Sequence, residues 1–180
     1  MRVCIDPGHG LSNRAWGVFD PGAVAAGVFE AHIVMDVALL LQGECRRRGW
    51  ATILTRCDNA EHSGLTWRVG RARSAGADCI VSLHCNAAES PQAHGVETLY
   101  RDHEWVAEAV QSRLAAALEL RDRGTKRRTD LAILRYERPA ILVELGFISN
   151  PTERGLLLNP TFQQKAVRAI ADGLEETVRP

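Results

Sequence analysis

Two histidines and two glutamates stand where apolar or helical stretches begin or end. His9 follows an apolar run at residues 3–5, and His84 follows the run CIVSL. Glu144 follows Ile-Leu-Val, and Glu30 stands where a long helical pattern begins. Two histidines and a carboxylate are a common open ligand set for catalytic zinc, and a second carboxylate can take a proton from the water. A catalytic zinc site is therefore one interpretation of these residue types.

Each of these residues also has a structural interpretation, which the sequence leaves open. His9 lies between two glycines and could simply close a turn, while His84 could form a hydrogen bond in the core. Glu30 suits the positive end of a helix dipole. Glu144 is harder to explain, because an acid inside ILVELGF is expected to be partly buried and then needs a partner. The spacing follows no compact motif such as H-E-x-x-H, so spacing alone does not distinguish a metal site from these structural roles.

The elements that must position these residues alternate along the chain. Apolar runs predict strands at residues 3–5, 51–55, 79–83, 96–100 and 140–144, and helical periodicity predicts helices at 31–48, 66–75, 104–119 and 160–178. This alternation indicates an α/β fold with a largely parallel sheet and helices on both faces. Sites in such sheets form beyond the carboxyl ends of the strands, so we expect His9, His84 and Glu144 to converge on one rim.

Length and composition limit the classes to which the protein can belong. The chain has 180 residues, which predicts a single domain over residues 1–180. Lys and Arg number 22 and Asp and Glu number 22, so net charge gives no reason to expect nucleic acid or a membrane as a partner. Five cysteines without a C-x-x-C pair favour a reducing compartment. No signal peptide is visible, because only three apolar residues separate Arg2 from Asp6, so we expect synthesis in the cytoplasm.

The other histidines and a basic segment carry weaker signals. The histidines in polar or helical surroundings are predicted to be solvated or structural; they are His32, His62, His94 and His103. The basic segment, residues 121–128 (RDRGTKRR), is predicted to be a solvated loop. Glu89 and Glu97 lie near the predicted rim without an assignable role.

Seven stretches carry a family resemblance. In chain order they are IDPGHG, DPGA followed by G-x-x-E, R-x9-D, VSLHCNA, GVETLY, LAILR and PAILVELGFISNPTE, and they cover nearly the whole chain. Together they resemble the zinc-dependent N-acetylmuramoyl-L-alanine amidases of the type-3 family, which cut peptidoglycan. The resemblance implies a six-stranded, mixed but largely parallel α/β sheet flanked by helices. Two positions depart from the family pattern: Arg73 stands where asparagine is usual, and Cys85 where alanine is usual.

The resemblance also implies a role for each candidate residue. His9, Glu30 and His84 correspond to the ligands of one zinc ion per chain, and Glu144 corresponds to the catalytic glutamate beside the metal-bound water. The implied reaction cleaves the amide between N-acetylmuramic acid and the L-alanine of the stem peptide. Glu144 would accept the water proton and pass a proton to the leaving amine. Peptidoglycan is the implied partner, and a monomer is the default expectation.

The biological setting has several interpretations. A catalytic domain without an export signal or a separate wall-binding domain resembles a phage endolysin, which reaches the wall after the membrane is permeabilised. A bacterial wall-remodelling or spore-related amidase, a zinc carboxypeptidase acting on the stem peptide, and a non-catalytic wall-binding module are the alternatives. The interval between His84 and Glu144 leaves little room for an inhibitory helix, so we expect activity without an activator. The basic segment could also attract the anionic wall or stem-peptide carboxylates.

Overall fold

A six-stranded mixed sheet forms the centre of the protein in the computed structural model, which describes residues 1–178. The strands are β1 (Arg2–Pro7), β2 (Ala51–Leu54), β3 (Cys79–Asn86), β4 (Val96–Tyr100), β5 (Asp122–Arg127) and β6 (Ala140–Phe147). Their order across the sheet is β2-β1-β3-β6-β4-β5. Neighbouring strands are parallel except β6 and β4, which pair antiparallel. The predicted fold class, a largely parallel six-stranded α/β sheet, is confirmed.

Helices cover both faces of this sheet, as predicted. They are α1 (Glu30–Arg47), α2 (Leu65–Ser74), α3 (Glu104–Leu118), α4 (Pro151–Leu157) and α5 (Pro160–Thr177). The larger apolar cluster packs α1, α3 and α5 on one face, and the smaller one packs α2 and a 3-10 turn, Ala132–Arg135, on the other. Within residues 1–178, each helix is too short or too polar to cross a bilayer.

The prediction of a loop for the basic segment is wrong. Residues Asp122–Arg127 form β5, an edge strand that pairs in parallel with β4. Charged side chains are typical of an edge strand, because they prevent it from pairing with another chain. They also remove the apolar alternation by which a strand is recognised in sequence, so the segment resembled a loop.

Two sheet strands are longer than their apolar runs, and one helix was not predicted. β3 extends to Asn86 and β6 to Phe147, so His84 lies within its strand rather than after it, and Glu144 is not the last residue of its strand. The unpredicted helix, α4, begins at an Asn-Pro pair. The side chain of Asn150 accepts hydrogen bonds from the amides of Thr152 and Glu153 at 2.9 and 3.1 Å. This N-cap starts a helix that is too short to show periodicity.

Candidate metal centre

His9, Glu30 and His84 meet at the rim where β1, β3 and the start of α1 lie together. Oε1 of Glu30 lies 3.1 Å from Nε2 of His9 and 3.0 Å from Nδ1 of His84. One potential ligand atom from each residue falls within 4.8 Å of the others. The structure therefore brings together the three predicted ligands, which lie far apart in sequence.

The turn that carries His9 is held by two buried arginines. The carbonyl oxygen of Pro7 accepts from Nε of Arg56 at 3.0 Å and from Nη1 of Arg68 at 2.8 Å. The next two carbonyls accept as well: Gly8 from Arg56 at 2.8 Å and His9 from Arg68 at 2.5 Å. His9 has a φ of 60°, a left-handed conformation that is uncommon for a residue with a side chain. The guanidinium donors thus hold a turn that strains its own histidine.

Burial and the positive charge of Arg68 lower the pKa of Arg56 to about 10. Arg68 is paired with a carboxylate, since its Nη1 lies 2.7 Å from Oδ1 of Asp6. Burial raises the pKa of Asp6, but Arg68 and the hydroxyls of Ser82 and Thr55 outweigh that effect, so the net shift is downward. Asp6 is therefore a buried anion that anchors the arginine under the turn.

Asp20 fixes the ring of His9. Nδ1 of His9 donates to Oδ2 of Asp20 at 3.1 Å, which leaves Nε2 directed at Glu30. Asn13 donates to the same oxygen at 2.6 Å, and the amide of Gly22 donates to Oδ1 at 2.9 Å. Burial opposes ionisation, yet these donors lower the pKa of Asp20 to about 2. A carboxylate behind a ligating histidine selects its tautomer and orients it.

Asp20 belongs to the DPGA motif, but no role for it was predicted from the sequence. A two-residue pairing brings it to His9, in which Gly10–Leu11 lies antiparallel to Phe19–Asp20. Such a short pairing has no periodicity of its own. The only signal for Asp20 in the sequence was an acidic residue in the DPGA motif. This signal does not indicate which side chain the acid faces.

Glu30 is the first residue of α1, as predicted, and its carboxylate is buried. Its Oε1 accepts from the amide of Cys85 at 2.9 Å, and its Oε2 accepts from the amide of Ala23 at 2.8 Å. Burial opposes ionisation, but the bonds from His84 and His9 hold the pKa of Glu30 well below its usual range. Glu30 is thus an oriented anion facing two imidazoles.

Two glycines make room for this cluster. A Cβ added to Gly8 would lie 2.3 Å from Cε1 of His84, and one added to Gly22 would lie 2.6 Å from Oε2 of Glu30. The candidate ligands therefore pack against bare backbone. Two imidazole nitrogens and one carboxylate oxygen form the ligand set of many three-ligand catalytic zinc sites. The residues present fit a zinc ion on both chemistry and proximity.

Glu144 lies beside the cluster in the row of side chains that crosses the sheet. It pairs with His84 of β3 on one side and with Glu97 of β4 on the other. Burial raises the pKa of Glu144 to about 7. Its Oε2 is buried and accepts no hydrogen bond from any of residues 1–178. A carboxyl group of this kind is typical of a functional site.

Glu97 carries a charge that is already paired. Its Oε2 lies 2.9 Å from Nε of Arg123 and 2.5 Å from Nζ of Lys126, both on β5, and Asn86 donates to Oε1 at 3.0 Å. Burial raises the pKa of Glu97, but these two cations lower it overall. The strand formed by the basic segment therefore neutralises the carboxylate next to Glu144.

The four remaining histidines supply no ligand atom to this cluster. His32, His62 and His94 are exposed, and His103 is half-buried. His62 has a structural partner: its ring stacks on Trp16 with centroids 4.1 Å apart, and its Nδ1 lies 2.6 Å from Oγ of Ser12. These positions agree with the predicted solvated or structural roles.

Comparison with known proteins adds independent findings. The sequence profile of a family described as N-acetylmuramoyl-L-alanine amidase matches residues 3–176. The chain is 34% identical over 177 residues to N-acetylmuramoyl-L-alanine amidase LytC of Bacillus subtilis (strain 168), covering 95% of this chain and 34% of that protein. It therefore spans about a third of LytC.

Two solved structures match over nearly their whole length. An N-acetylmuramoyl-L-alanine amidase from Clostridium difficile 630 superposes with a TM-score of 0.88 at 29% identity, covering 97% of this chain and 95% of that one. The catalytic domain of CwlV, an amidase of Bacillus (Paenibacillus) polymyxa var. colistinus, has a TM-score of 0.86 at 31% identity and 99% coverage of both chains.

Proposed function

The chain belongs to the N-acetylmuramoyl-L-alanine amidase family, and on that premise we propose that it hydrolyses the amide between N-acetylmuramic acid and the L-alanine of the peptidoglycan stem peptide. One structural observation supports this proposed activity in addition to the family membership. His9, Glu30 and His84 converge on one point, and Glu144 lies in the next strand with a buried oxygen that accepts no hydrogen bond from residues 1–178. This arrangement supplies three ligands and a separate base.

We propose that one zinc ion is held by Nε2 of His9, Oε1 of Glu30 and Nδ1 of His84. When bound, zinc lowers the pKa of a coordinated water and polarises a carbonyl group. The protein contributes the orientation of the ligands. Asp20 accepts the Nδ1 proton of His9, and backbone amides hold both oxygens of Glu30, so hydrogen bonds within the protein orient these two ligands.

Glu144 is the proposed proton carrier. Burial places its pKa at about 7, where a carboxyl group can both accept and release a proton near neutral pH. Its unpartnered Oε2 accepts a proton from the attacking water and then delivers one to the amine of L-alanine as that amine leaves. Glu97, the carboxylate next to Glu144, is paired with Arg123 and Lys126. Its charge is therefore neutralised and does not interfere with this proton transfer.

Mass spectrometry of the products tests the reaction. Purified protein with measured zinc content is incubated with peptidoglycan, and the soluble fragments are analysed. Cleavage by an amidase releases peptides with a free N-terminal L-alanine and leaves the glycan intact. Release of single C-terminal amino acids would instead identify the carboxypeptidase alternative, and no release by a zinc-loaded protein would support the non-catalytic alternative.

We propose that the cell wall that the protein hydrolyses is bacterial. Its role as an endolysin stays a prediction. The amidases LytC and CwlV come from bacteria, which favours wall remodelling as the second candidate. Expression inside bacterial cells, with and without an agent that permeabilises the membrane, separates the two. Rapid lysis that begins only on permeabilisation supports the endolysin role and cytoplasmic storage. Activity on purified wall without lysis of permeabilised cells contradicts them.

We also propose that the enzyme needs no activating partner. The helix between His84 and Glu144 is α3, which packs on α5 on the sheet face opposite α2. It therefore belongs to the core of the fold and does not cover the metal centre. Purified protein alone should cleave purified peptidoglycan; cleavage that appears only after addition of a cell extract would contradict this.

A further inference from the structure

A cleft of 310 Å³ opens beside the metal centre on the sheet face that α2 covers. His9 and His84 line its inner end, Leu65 of α2 and Leu131 form walls, and Asn13 lies on the loop of residues 12–18. A volume of this size suits a small ligand or a short peptide segment. The cleft thus adjoins the candidate metal ligands. The proposed proton transfer does not use it.

We propose that this cleft binds the stem peptide on the L-alanine side of the scissile amide, with Arg14 pairing with the free α-carboxylate of the second residue. The proposal rests on the proposed function, because it assigns the peptide half of that substrate to one wall of the site.

The cleft walls suit a residue with a small apolar side chain. Leu131 and Ile133 contribute one wall, and Leu142 on β6 contributes to the floor. Contact between these side chains and an alanine methyl group removes apolar surface from water on both partners. A stem peptide is a branch and can enter a cleft at one side of the site, whereas a glycan strand continues in both directions and needs an open surface.

Asn13 borders this cleft and carries a buried hydrogen-bond acceptor. Its side chain is 6% exposed, and its Nδ2 donates to Oδ2 of Asp20 at 2.6 Å. A carboxylate accepts only, so this contact fixes which side-chain atom of Asn13 is nitrogen. Its Oδ1 is therefore an acceptor, and it has no hydrogen-bond partner among residues 1–178. A peptide brings one N–H per residue, which is the group that Oδ1 lacks.

The charge at the mouth of the cleft favours an anion. The side chain of Arg14 is 74% exposed, and its Nε lies 3.2 Å from Oδ2 of Asp20. Among residues 1–178 this is its one ion pair, so both terminal nitrogens remain available for a carboxylate. Asp130 also lines the cleft, but Arg128 already holds it with bonds of 2.8 and 2.7 Å. The donors that remain available at the mouth are therefore the two terminal nitrogens of Arg14.

Binding of two probe dipeptides to the full zinc-loaded chain tests the proposal. One probe is L-alanyl-D-glutamate with its γ-carboxyl group blocked as an amide, and the other also carries a carboxamide in place of its α-carboxylate. Titration followed by NMR should show that the acid binds about tenfold more tightly, as expected for one charge-assisted pair. Arg14→Gln should remove the preference, and Asn13→Leu should weaken both probes.

Two further variants control the experiment. Arg113→Gln removes an exposed arginine that is paired with Glu176 on the opposite sheet face, and it should leave the preference unchanged. Leu131→Trp fills the cleft and should abolish binding of both probes while zinc content and melting temperature stay the same. Equal binding of the two probes by the wild-type protein, or a preference that survives Arg14→Gln, would overturn the proposal.

A parallel assay of peptidoglycan cleavage separates this proposal from the proposed function. Cleavage by the wild-type protein with equal binding of the two probes rejects the cleft and keeps the amidase. A preference that depends on Arg14 without any cleavage keeps the cleft and rejects the amidase.

Discussion

Glu144 lies directly opposite His84 in the parallel pairing of β6 with β3. Side chains alternate along a strand, so both belong to the row that faces α2, together with Ile80 and Leu142 deeper in the sheet. The proposed base and one proposed ligand are therefore held as cross-strand neighbours by the most central pairing of the sheet. Any displacement of one strand against the other would change their separation.

Removing the base should separate zinc binding from catalysis. We expect Glu144→Ala to retain zinc and to lose about 10²–10⁴-fold in the rate of peptidoglycan cleavage, the usual contribution of a general base. Zinc content by atomic absorption and cleavage by release of soluble fragments measure the two effects. Glu89→Gln is the control, because Glu89 is exposed near the same rim. A Glu144→Ala protein that cleaves at the normal rate would refute the assignment.

Removing a ligand should act on the metal itself. His9→Ala and His84→Ala should each reduce zinc content below one ion per chain after dialysis against buffer, because two donors hold zinc far less tightly than three. His32→Ala is the matched control, since His32 is an exposed histidine on α1. Full zinc content in His84→Ala would show that the ion lies elsewhere.

Asp20 should influence zinc through His9. We expect Asp20→Asn to weaken zinc binding about 10–100-fold, the usual effect of losing a carboxylate behind a ligating histidine. Competition with a chromophoric chelator measures the affinity, and the melting temperature of the zinc-free protein monitors folding. Unchanged zinc affinity in a folded variant would show that Asp20 does not orient the ring.

The Asp6–Arg68 pair should make stability depend on acid. Because the folded pKa of Asp6 lies below its unfolded value, the carboxylate stabilises the fold above pH 4 or so, and this stabilisation is lost as pH falls through the folded pKa. Asp6→Asn should cost about 3–5 kcal/mol at pH 7, because Arg68 then remains buried without its anion. Urea unfolding in a chelator should show the difference between wild type and variant shrinking below pH 4 or so. A constant difference down to pH 2 would contradict this.

A methyl group at Gly8 should displace a ligand. The added Cβ would lie 2.3 Å from the ring of His84, so we expect Gly8→Ala to lose zinc. Gly43→Ala is the control inside α1, where an added Cβ meets nothing within 4 Å. It should raise stability by about 0.5–1 kcal/mol, because alanine is the better helix former. Normal zinc content in Gly8→Ala would mean that the histidine is free to move.

The core strands were predicted well because buried strands consist of continuous apolar runs, which can be recognised in a sequence. CIVSL and AILV contain no polar residue except Ser82 and are central strands in the structure. β5 lacked this signal, because its side chains are charged or small and none is fully buried, as is typical of an edge strand that must not pair further. Asp20 was missed for another reason: its role depends on which histidine faces it, a distance set by a short hairpin. The roles assigned to His9, Glu30, His84 and Glu144 came from family resemblance, and the structure supplies their proximity.

The position of β6 has a consequence for how the protein is made. This strand is the last of the six along the chain, yet it lies between β3 and β4. A ribosome delivers the N-terminal strands first, so the growing chain holds two unpaired strand edges at its centre until residue 147 has emerged. The proposed active site is therefore incomplete until this strand has been made, since Glu144 lies on the strand that closes the sheet. Until then the unpaired edges of β3 and β4 are exposed and can pair with strands of other chains.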